Sequence, residues 1–470
     1  MLKKWFLMIL FIGVIALMIL EYVFVYRPKG QINSKVGTCT TTEFNKEQDY
    51  RIEANFYVKD VWTEGYSNQI SYNGELLNNT NKIIDNWKLE VEIQDNAELG
   101  EYWGVNCILK DNILTITPDK EYESKIGIYS KMNFGFILSS ISPKLIDKYT
   151  LYINDELYTG EKRVYPDKDT PVYNHGRLTV AGPNIIDKNG EAYILQGVST
   201  HGIAWYPEYI TKETFKSIRD DLNCNAVRIA MYSDDAAGYS KELHGLMSDG
   251  INYATELGLY VIIDWAILDD NNPNDNKDNA IAFFEEMARE FKDYDNIIYE
   301  ICNEPNGNVT WDNDIKPYAK ELIEKIRAID DDGIIVVGTP NFSQDVDVIC
   351  MDQLEGYSNI VYAFHFYSAT HKADFRQKLQ YALDVDMPIL VTEFGTCEAD
   401  GNGKVNLEEA DIWIEFLRKN KIGYFCWNLT NKSESSSLLS SETEKTYDWD
   451  NADLSESGLW LKEKYDELSE

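Results

Sequence analysis

Positive charge is scarce in this chain. Its 470 residues carry 44 lysines and arginines against 79 aspartates and glutamates, a formal net charge of −35. A nucleic-acid binder needs a basic face for the phosphate backbone, so that class is excluded. A neutral polymer is compatible with such charge, which plays no part in its recognition and keeps the protein soluble. Cysteine is sparse as well. The seven (Cys39, Cys107, Cys224, Cys302, Cys350, Cys397 and Cys426) are scattered without metal-ligand spacing, and their odd number is no disulfide framework. They read as small buried hydrophobes. No glycine-rich phosphate loop and no cluster of metal ligands occurs, so neither metal nor other cofactor is expected.

What is present is globular: 44% hydrophobic and 13% aromatic residues over a length that suits two or three domains. Residues 1–30 stand apart. An apolar run from Trp5 to Tyr26, broken by Glu21, follows Lys3 and Lys4 and ends at Arg27-Pro28-Lys29. It is longer than a signal-peptide core and lacks a small-residue cleavage site, which favours a membrane anchor over a cleaved export signal. Either places the remainder outside the cell, anchored at its surface or secreted. Residues 31–48 read as a polar linker. From 49 to 158 short alternating strands succeed one another (Phe56–Val61, Tyr66–Tyr72, Trp87–Ile93, Ile113–Thr117, Asn133–Leu138, Tyr149–Ile153) with no amphipathic helix, the pattern of an all-β sandwich. Residues 159–172 form a second linker.

The third region, 173–470, opens with a hairpin of Arg177–Val180 and Ala192–Leu195 around Asp187-Lys188-Asn189-Gly190. Eight buried-looking strands follow: Ala192–Val198, Ala226–Ile229, Tyr260–Asp264, Ile297–Cys302, Ile334–Gly338, Ile360–Phe364, Ile389–Glu393 and Gly423–Trp427. Helical segments such as Thr211–Leu222, Lys241–Leu257, Asn279–Phe291 and Ile315–Ile329 lie between them. Eight alternations over this length predict a closed (β/α)8 TIM barrel, whose active site lies at the carboxyl ends of the strands. Two of those ends carry glutamates, in Asn303-Glu304-Pro305 and in Thr392-Glu393-Phe394-Gly395. A pair of carboxyl groups facing each other is the equipment of a glycosidase. The other strand exits supply His201 and Trp205, Arg228 and Tyr232, Asn303, His365 and Tyr367, and Trp427. Taken singly, these are as well explained as an ion pair, a satisfied core histidine and rim packing. Together, with two of only five histidines facing the glutamates, they are a site.

Leu195-Gln196-Gly197-Val198-Ser199-Thr200-His201-Gly202, Asn303-Glu304-Pro305, His365-Phe366-Tyr367, Thr392-Glu393-Phe394-Gly395 and Trp427-Asn428-Leu429 resemble glycoside hydrolase family 5, in its bacterial endo-β-1,4-glucanase branch. The likeness runs in register from about Tyr173 to Gly458. It implies a retaining cellulase that cuts internal bonds of β-glucan by double displacement, as a monomer and without cofactor. Glu304 would be the acid/base, Glu393 the nucleophile, and Asn303 the holder of the sugar 2-hydroxyl. Arg228 and Tyr367 would orient Glu393, while His201 and His365 line the same subsite. Trp427 would be its floor, and Trp205, Ala399, Lys432 and Glu434 the walls of the next. Beside Arg228, Glu393 is expected to stay ionised, and Glu304 to be pushed towards its protonated form. The carboxyl groups should lie about 5–5.5 Å apart.

One departure stands out: the branch has Asp-Trp-His after the third strand, and here the residues are Asp264-Trp265-Ala266. Its effect bears on rate and substrate, and Trp265 or the Leu268–Asn272 loop could fill the space. Alternatives are a related β-glycanase acting on mannan, xyloglucan or mixed-linkage glucan, or a catalytically weakened glycan-binding protein. The sandwich resembles a family 2 carbohydrate-binding module in Trp62-Thr63-Glu64-Gly65-Tyr66, Asp85-Asn86-Trp87-Lys88-Leu89 and Phe134-Gly135-Phe136, without the terminal cysteine pair. That likeness makes Trp62, Trp103 and Tyr122 a cellulose-binding face and Trp87 a core residue. The bland alternative is a spacer.

Overall fold

The structure, a computed structural model, describes residues 40–41, 48–49 and 52–467, except 65–66, 81, 94–96, 121–123, 129, 141–145, 147, 159–160 and 163. No helix among the described residues is long and apolar enough to cross a membrane. The expected anchor at 1–30 lies outside them, as does Tyr122.

The amino-terminal part is built from β1 (Ile52–Glu64), β2 (Ser67–Asn78), β3 (Trp87–Glu92), β4 (Glu98–Trp103), β5 (Asn106–Lys110), β6 (Ile113–Thr117), β7 (Ser130–Ser140) and β8 (Lys148–Ile153). They form two sheets, β1-β2-β7-β4 and β8-β3-β6-β5, antiparallel throughout except that Thr40–Thr41 adds in parallel to β8, which Glu156–Leu157 also joins. Gln48–Asp49 pairs with Glu161–Lys162, so residues of both expected linkers take part in strands. Alternation sends Ile70, Tyr72, Phe134 and Phe136 of one sheet and Trp87, Leu89, Leu114 and Leu151 of the other into a single core. Tyr72 stacks on Phe136 with centroids 5.2 Å apart, and Trp87 lies inside, 6.4 Å from Phe134. β4 and β5 are additions to the expected set. β4 exposes most of its residues, so it has no hydrophobic alternation to betray it.

A hairpin of β9 (Thr179–Ala181) and β10 (Asn184–Ile186) comes next. Its turn is Gly182-Pro183, not the expected Asp187–Gly190. Those residues make a second turn, closed by Gly190 N–H to the Asp187 carbonyl, and Ala192 reaches Ile186 only as an isolated bridge. Gly182 takes φ 58°, which suits a residue without a Cβ.

Eight parallel strands then close into a barrel in chain order: β11 (Gln196–Thr200), β12 (Ala226–Tyr232), β13 (Tyr260–Ala266), β14 (Ile297–Glu300), β15 (Ile334–Val337), β16 (Ile360–Tyr367), β17 (Ile389–Gly395) and β18 (Tyr424–Leu429). A helix follows each: α1 (Lys212–Asp220), α2 (Leu243–Glu256), α3 (Lys277–Phe291), α4 (Lys316–Arg327), the single turn α5 (Val346–Ile349), α6 (Ala373–Asp384), α7 (Leu407–Lys419) and α8 (Glu456–Asp466). The apolar stripes of the helices pack on the outward residues of the strands. Inward residues (Ala226, Tyr260, Ile262, Ile298, Val336, Val361, Leu390 and Phe425) fill the barrel, making it a packed core with one open rim. β12, β13, β16 and β17 run two or three residues beyond their expected ends, which carries Tyr232, Ala266, Tyr367 and Gly395 up to that rim. β14 is shorter than expected. The chain leaves the ladder after Glu300, and the Asn303 N–H donates to the Trp265 carbonyl at 3.2 Å, leading Glu304 over the mouth.

The shell between α7 and the barrel is knit by Trp413. It is fully buried, stacks on Phe366 at 3.9 Å, and donates its indole N–H to the His371 carbonyl at 2.9 Å. Trp413→Ala should destabilise the barrel by about 3–5 kcal/mol through the cavity it leaves. Thermal unfolding should show the barrel transition lowered and the sandwich transition in place.

Candidate active site

The site begins with a cation. Arg228 is an inward residue of β12, two positions on from Ala226, and its side chain is fully buried. A buried guanidinium needs anions and acceptors in fixed places. Its Nε donates to Glu300 Oε2 at 2.7 Å. Nη1 donates to Ser199 Oγ at 3.1 Å and to Glu393 Oε2 at 3.4 Å. Nη2 donates to Asn303 Oδ1 at 2.5 Å and lies 2.9 Å from Asp264 Oδ2. Burial opposes the charge, but Asp264, Glu300 and Glu393 outweigh it and hold Arg228 protonated.

Glu393 is on β17 and nearly buried. Its Oε1 accepts from the Tyr367 hydroxyl at 2.7 Å. Glu304 sits across the mouth, with Oε1 2.8 Å from His365 Nδ1, while His365 Nε2 is 2.9 Å from Thr392 Oγ1. Burial lowers His365 to about 4, so at neutral pH the ring is uncharged, with one nitrogen donating and the other accepting. One oxygen of each glutamate and one His365 nitrogen lie within 4.8 Å of one another. That spacing falls below the range of about 6.5–9.5 Å that accommodates a water in an inverting glycosidase. These three groups could also converge on a cation, as could Asp330, Asp331 and Asp332, and Arg228 beside Glu393 opposes that use of the first set.

The two carboxyls are not ionised alike. Burial pushes Glu304 up to about 8, Glu300 adding to it and Arg228 opposing. Burial and the neighbouring Glu304 push Glu393 up to about 7, held back by His365, Arg228 and the Tyr367 hydrogen bond. The expectation of a plainly ionised Glu393 is therefore corrected. Arg228 does not serve it alone, since two further buried acids, Asp264 and Glu300, draw on the same cation. The ranking still puts the proton on Glu304 first.

Around this pair stands an aromatic wall. His201 lies 5.2 Å from Trp427, 5.4 Å from Trp205 and 6.1 Å from Tyr232, and Trp205 lies 5.0 Å from Tyr232, all between ring centroids. Burial lowers His201 to about 4, and its Nδ1 accepts the Gly202 N–H at 2.7 Å, which leaves Nε2–H as the donor. Gly202 has no room for a Cβ, which would fall 2.3 Å from the Tyr232 ring. Lys432 and Glu434 pair at 2.6 Å close enough for both to act on His201, and Asn428 Nδ2 and Ser436 Oγ fix Glu434 at 3.0 and 2.9 Å. Ala399 lies on the exposed loop after β17, its N–H donating to Thr370 Oγ1 at 3.0 Å.

A family model for cellulase (glycosyl hydrolase family 5) matches residues 186–433, more than half of the chain. The chain belongs to glycosyl hydrolase family 5. Endoglucanase A of Butyrivibrio fibrisolvens is 44% identical over 308 residues, 64% of this chain and 71% of that protein. Endoglucanase E-5 of Thermobifida fusca is 30% identical over 428 residues, 86% of this chain and 89% of that one. The crystal structure of the catalytic domain of Thermobifida fusca endoglucanase Cel5A superposes with a TM-score of 0.60 at 36% identity, covering 63% of this chain and 99% of that domain.

Within this family 5 barrel, Asp264 and Glu300 are the participants that strand-exit reading missed. Both are one residue pair deeper than the exits, in the inward phase set by Ile262 and Ile298. A charged residue inside an apolar run was the available signal. Trp265 points the other way, into the helix layer beside Tyr239 at 5.2 Å and Phe283 at 5.5 Å. It therefore does not fill the space above Ala266, contrary to one expectation. Because the Tyr367 hydrogen bond lowers the proton affinity of Glu393, Tyr367→Phe should raise it. A carboxyl carbon-13 NMR titration should show Glu393 moving up by about half to one pH unit.

Proposed function

We propose that this family 5 glycoside hydrolase is a retaining endo-β-1,4-glucanase acting on cellulose or a related β-glucan. The observation that carries the reading is the close pairing of Glu304 and Glu393 with opposite supports: a neutral histidine under one, an arginine and a tyrosine hydroxyl under the other. Glu393 attacks the anomeric carbon while Glu304 gives its proton to the departing sugar oxygen. A covalent glycosyl-enzyme forms, and Glu304, now a carboxylate, takes a proton from the water that releases it. Asn303, fixed by Arg228, offers its amide N–H to the 2-hydroxyl. Trp427 and Trp205 present rings to the apolar faces of successive glucose units, with Lys432 and Glu434 addressing hydroxyls. The endoglucanases of Butyrivibrio fibrisolvens and Thermobifida fusca support this choice of polymer. Ala266 favours a second reading, a related β-glycanase acting on mannan, xyloglucan or mixed-linkage glucan, because a methyl group stands where the branch carries an imidazole that would contact the sugar. Proton NMR of the first product decides the stereochemistry: retained configuration is expected, and inversion overturns the mechanism. Glu393→Ala should lose turnover on every substrate, azide restoring part of it with inverted product. Glu304→Ala should spare substrates with good leaving groups, and equal loss on good and poor ones contradicts its role.

The sandwich we read as a module that docks the enzyme on its polymer. Trp62 and Trp103 both project from the outer face of the β1-β2-β7-β4 sheet, since Trp62 is opposite Gln69 and Trp103 opposite Gly135, out of phase with the buried rows. Both rings are about two-fifths exposed (40% and 41%). The Trp103 indole covers Gly135, where a Cβ would meet it at 2.1 Å. Exposed indoles on one sheet face suit the apolar face of a glucan chain. The apolar run Trp5–Tyr26 would hold such an enzyme at the outer cell surface, or direct its secretion, where insoluble polymer is found. Replacing Trp62 and Trp103 together by alanine should weaken pull-down on insoluble cellulose by about 1 kcal/mol per ring. Hydrolysis of soluble substrate should be unchanged, and undiminished pull-down demotes the module to a spacer.

A further inference from the structure

Two buried acids share Arg228 with Glu393, and they are bound to it differently. Glu300 closes β14 and is fully buried, its Oε2 accepting the Arg228 Nε–H at 2.7 Å. With Nε taken, the Nη groups are left in place for Ser199, Glu393 and Asn303. Asp264 lies 2.9 Å from Nη2 without hydrogen-bond geometry, and neither of its oxygens has a hydrogen-bond partner. Burial drives the Asp264 carboxyl well above the ordinary range, so it holds its proton.

We propose that Glu300 is a positioning residue for the reaction, fixing Arg228 through Nε and, as the partner in that buried ion pair, setting the charge that Glu304 meets. The proposal rests on the reading of Glu304 as acid/base. Around Glu304 stand Arg228 and Tyr232 of β12, Asp264 of β13, Glu300 of its own strand, His365 and Tyr367 of β16, and Glu393 of β17. His365 is neutral, the tyrosines are held well above their ordinary range, and Asp264 is protonated. That leaves Arg228, Glu393 and Glu300 as the charges Glu304 meets. Arg228 favours its ionised form, whereas Glu300, ion-paired to Arg228, opposes it. Cys302, also beside Glu300, is a buried thiol whose proton burial retains.

The test is kcat/KM against pH for the full chain, on cellotetraose and on an aryl cellobioside with a good leaving group, with thermal melting to establish folding. On cellotetraose the wild type should lose activity as Glu304 deprotonates above about pH 8. Glu300→Gln keeps an acceptor for Nε and removes the charge. Its alkaline limb should move down by about half a pH unit, because a neighbouring anion no longer disfavours ionised Glu304. Glu300→Ala also frees Arg228 and should cost about tenfold more in kcat than Glu300→Gln, since the nucleophile and Asn303 lose their anchor. Asp264→Asn removes no charge, and its limb should stay with the wild type. An alkaline limb unmoved in folded Glu300→Gln, or moved equally in Asp264→Asn, overturns the proposal. Should Glu300→Gln fail to fold, Glu300→Asp serves: the charge remains, drawn back by one methylene, so kcat should fall with the limb unmoved, and unaltered kcat overturns the proposal. A wild-type alkaline limb that survives Glu304→Gln defeats the acid/base reading itself. A limb that Glu304→Gln removes and Glu300→Gln leaves in place defeats only the role of Glu300.

Discussion

A fully buried guanidinium cannot exist without acceptors around it, and Arg228 dictates what surrounds the mouth of this barrel. Its fork reaches four strands at once: Ser199 of β11, Asp264 of β13, Glu300 of β14 and Glu393 of β17, with Asn303 just beyond β14. Parallel strands carry no hairpins that could fix their relative heights, so cross-barrel bonds of this kind lock the register of the upper rim. Removing any one partner leaves either a buried charge or a buried donor unmatched, at about 1–3 kcal/mol for the group stranded. Catalytic geometry and barrel stability are therefore the same set of bonds.

The same crowding shapes the electrostatics. Four acids and one arginine occupy a volume with little water, so full ionisation is unfavourable and protons distribute according to who touches the cation. Asp264, in contact without hydrogen bonds, keeps its proton. Glu304, without a bond to Arg228, comes next at about 8, and Glu393, bonded to both Arg228 and Tyr367, follows at about 7. The difference between the two glutamates comes from their neighbours, as both lie in one dry pocket: Glu300 raises Glu304, while His365, Arg228 and the Tyr367 hydrogen bond hold Glu393 down. Values so close belong to the pair as a unit, which shares roughly one proton in the neutral range. Two neutral histidines complete the arrangement: at about 4 each, His201 and His365 supply hydrogen bonds without adding charge that would upset the balance.

Strands that are buried on both faces and end at a turn were legible in the sequence, because short, largely apolar runs rich in β-branched residues recur between helical segments. All eight barrel strands fall where those runs do, and α1 to α4 lie within the expected segments to within two residues or so at each end. What was not legible follows from two physical facts. Edge strands carry few buried side chains, so β4, with its charged and exposed residues, resembles a loop until its neighbours are known. Inward acids such as Asp264 and Glu300 interrupt an apolar run without saying which way they point, and phase is fixed only once the barrel closes. The exits, by contrast, combine a polar residue with the end of a run, and there His201, Asn303, Glu304, His365, Tyr367, Glu393 and Trp427 could be picked out. Ala399, on an exposed loop, was reached only by resemblance, since a methyl group gives no chemical signal in a sequence.

Ala266 brings these strands of the argument together. It ends β13 opposite Tyr232, and its carbonyl accepts both the N–H and the hydroxyl of Ser233, at 3.1 and 3.2 Å. The backbone there is thus held by bonds that do not involve the side chain, so a larger residue could be carried without disturbing the strand. Trp265 is committed to the helix layer, Leu268 is 38% exposed, and Ala266 between them is buried. None of the hydrogen bonds that fix Glu304, Glu393 or Arg228 passes through this position. A methyl group in place of an imidazole therefore leaves the bonds of the carboxyl pair as they are. The barrel mouth has two layers: the buried ring of charged groups around Arg228, and above it the side chains that end the strands.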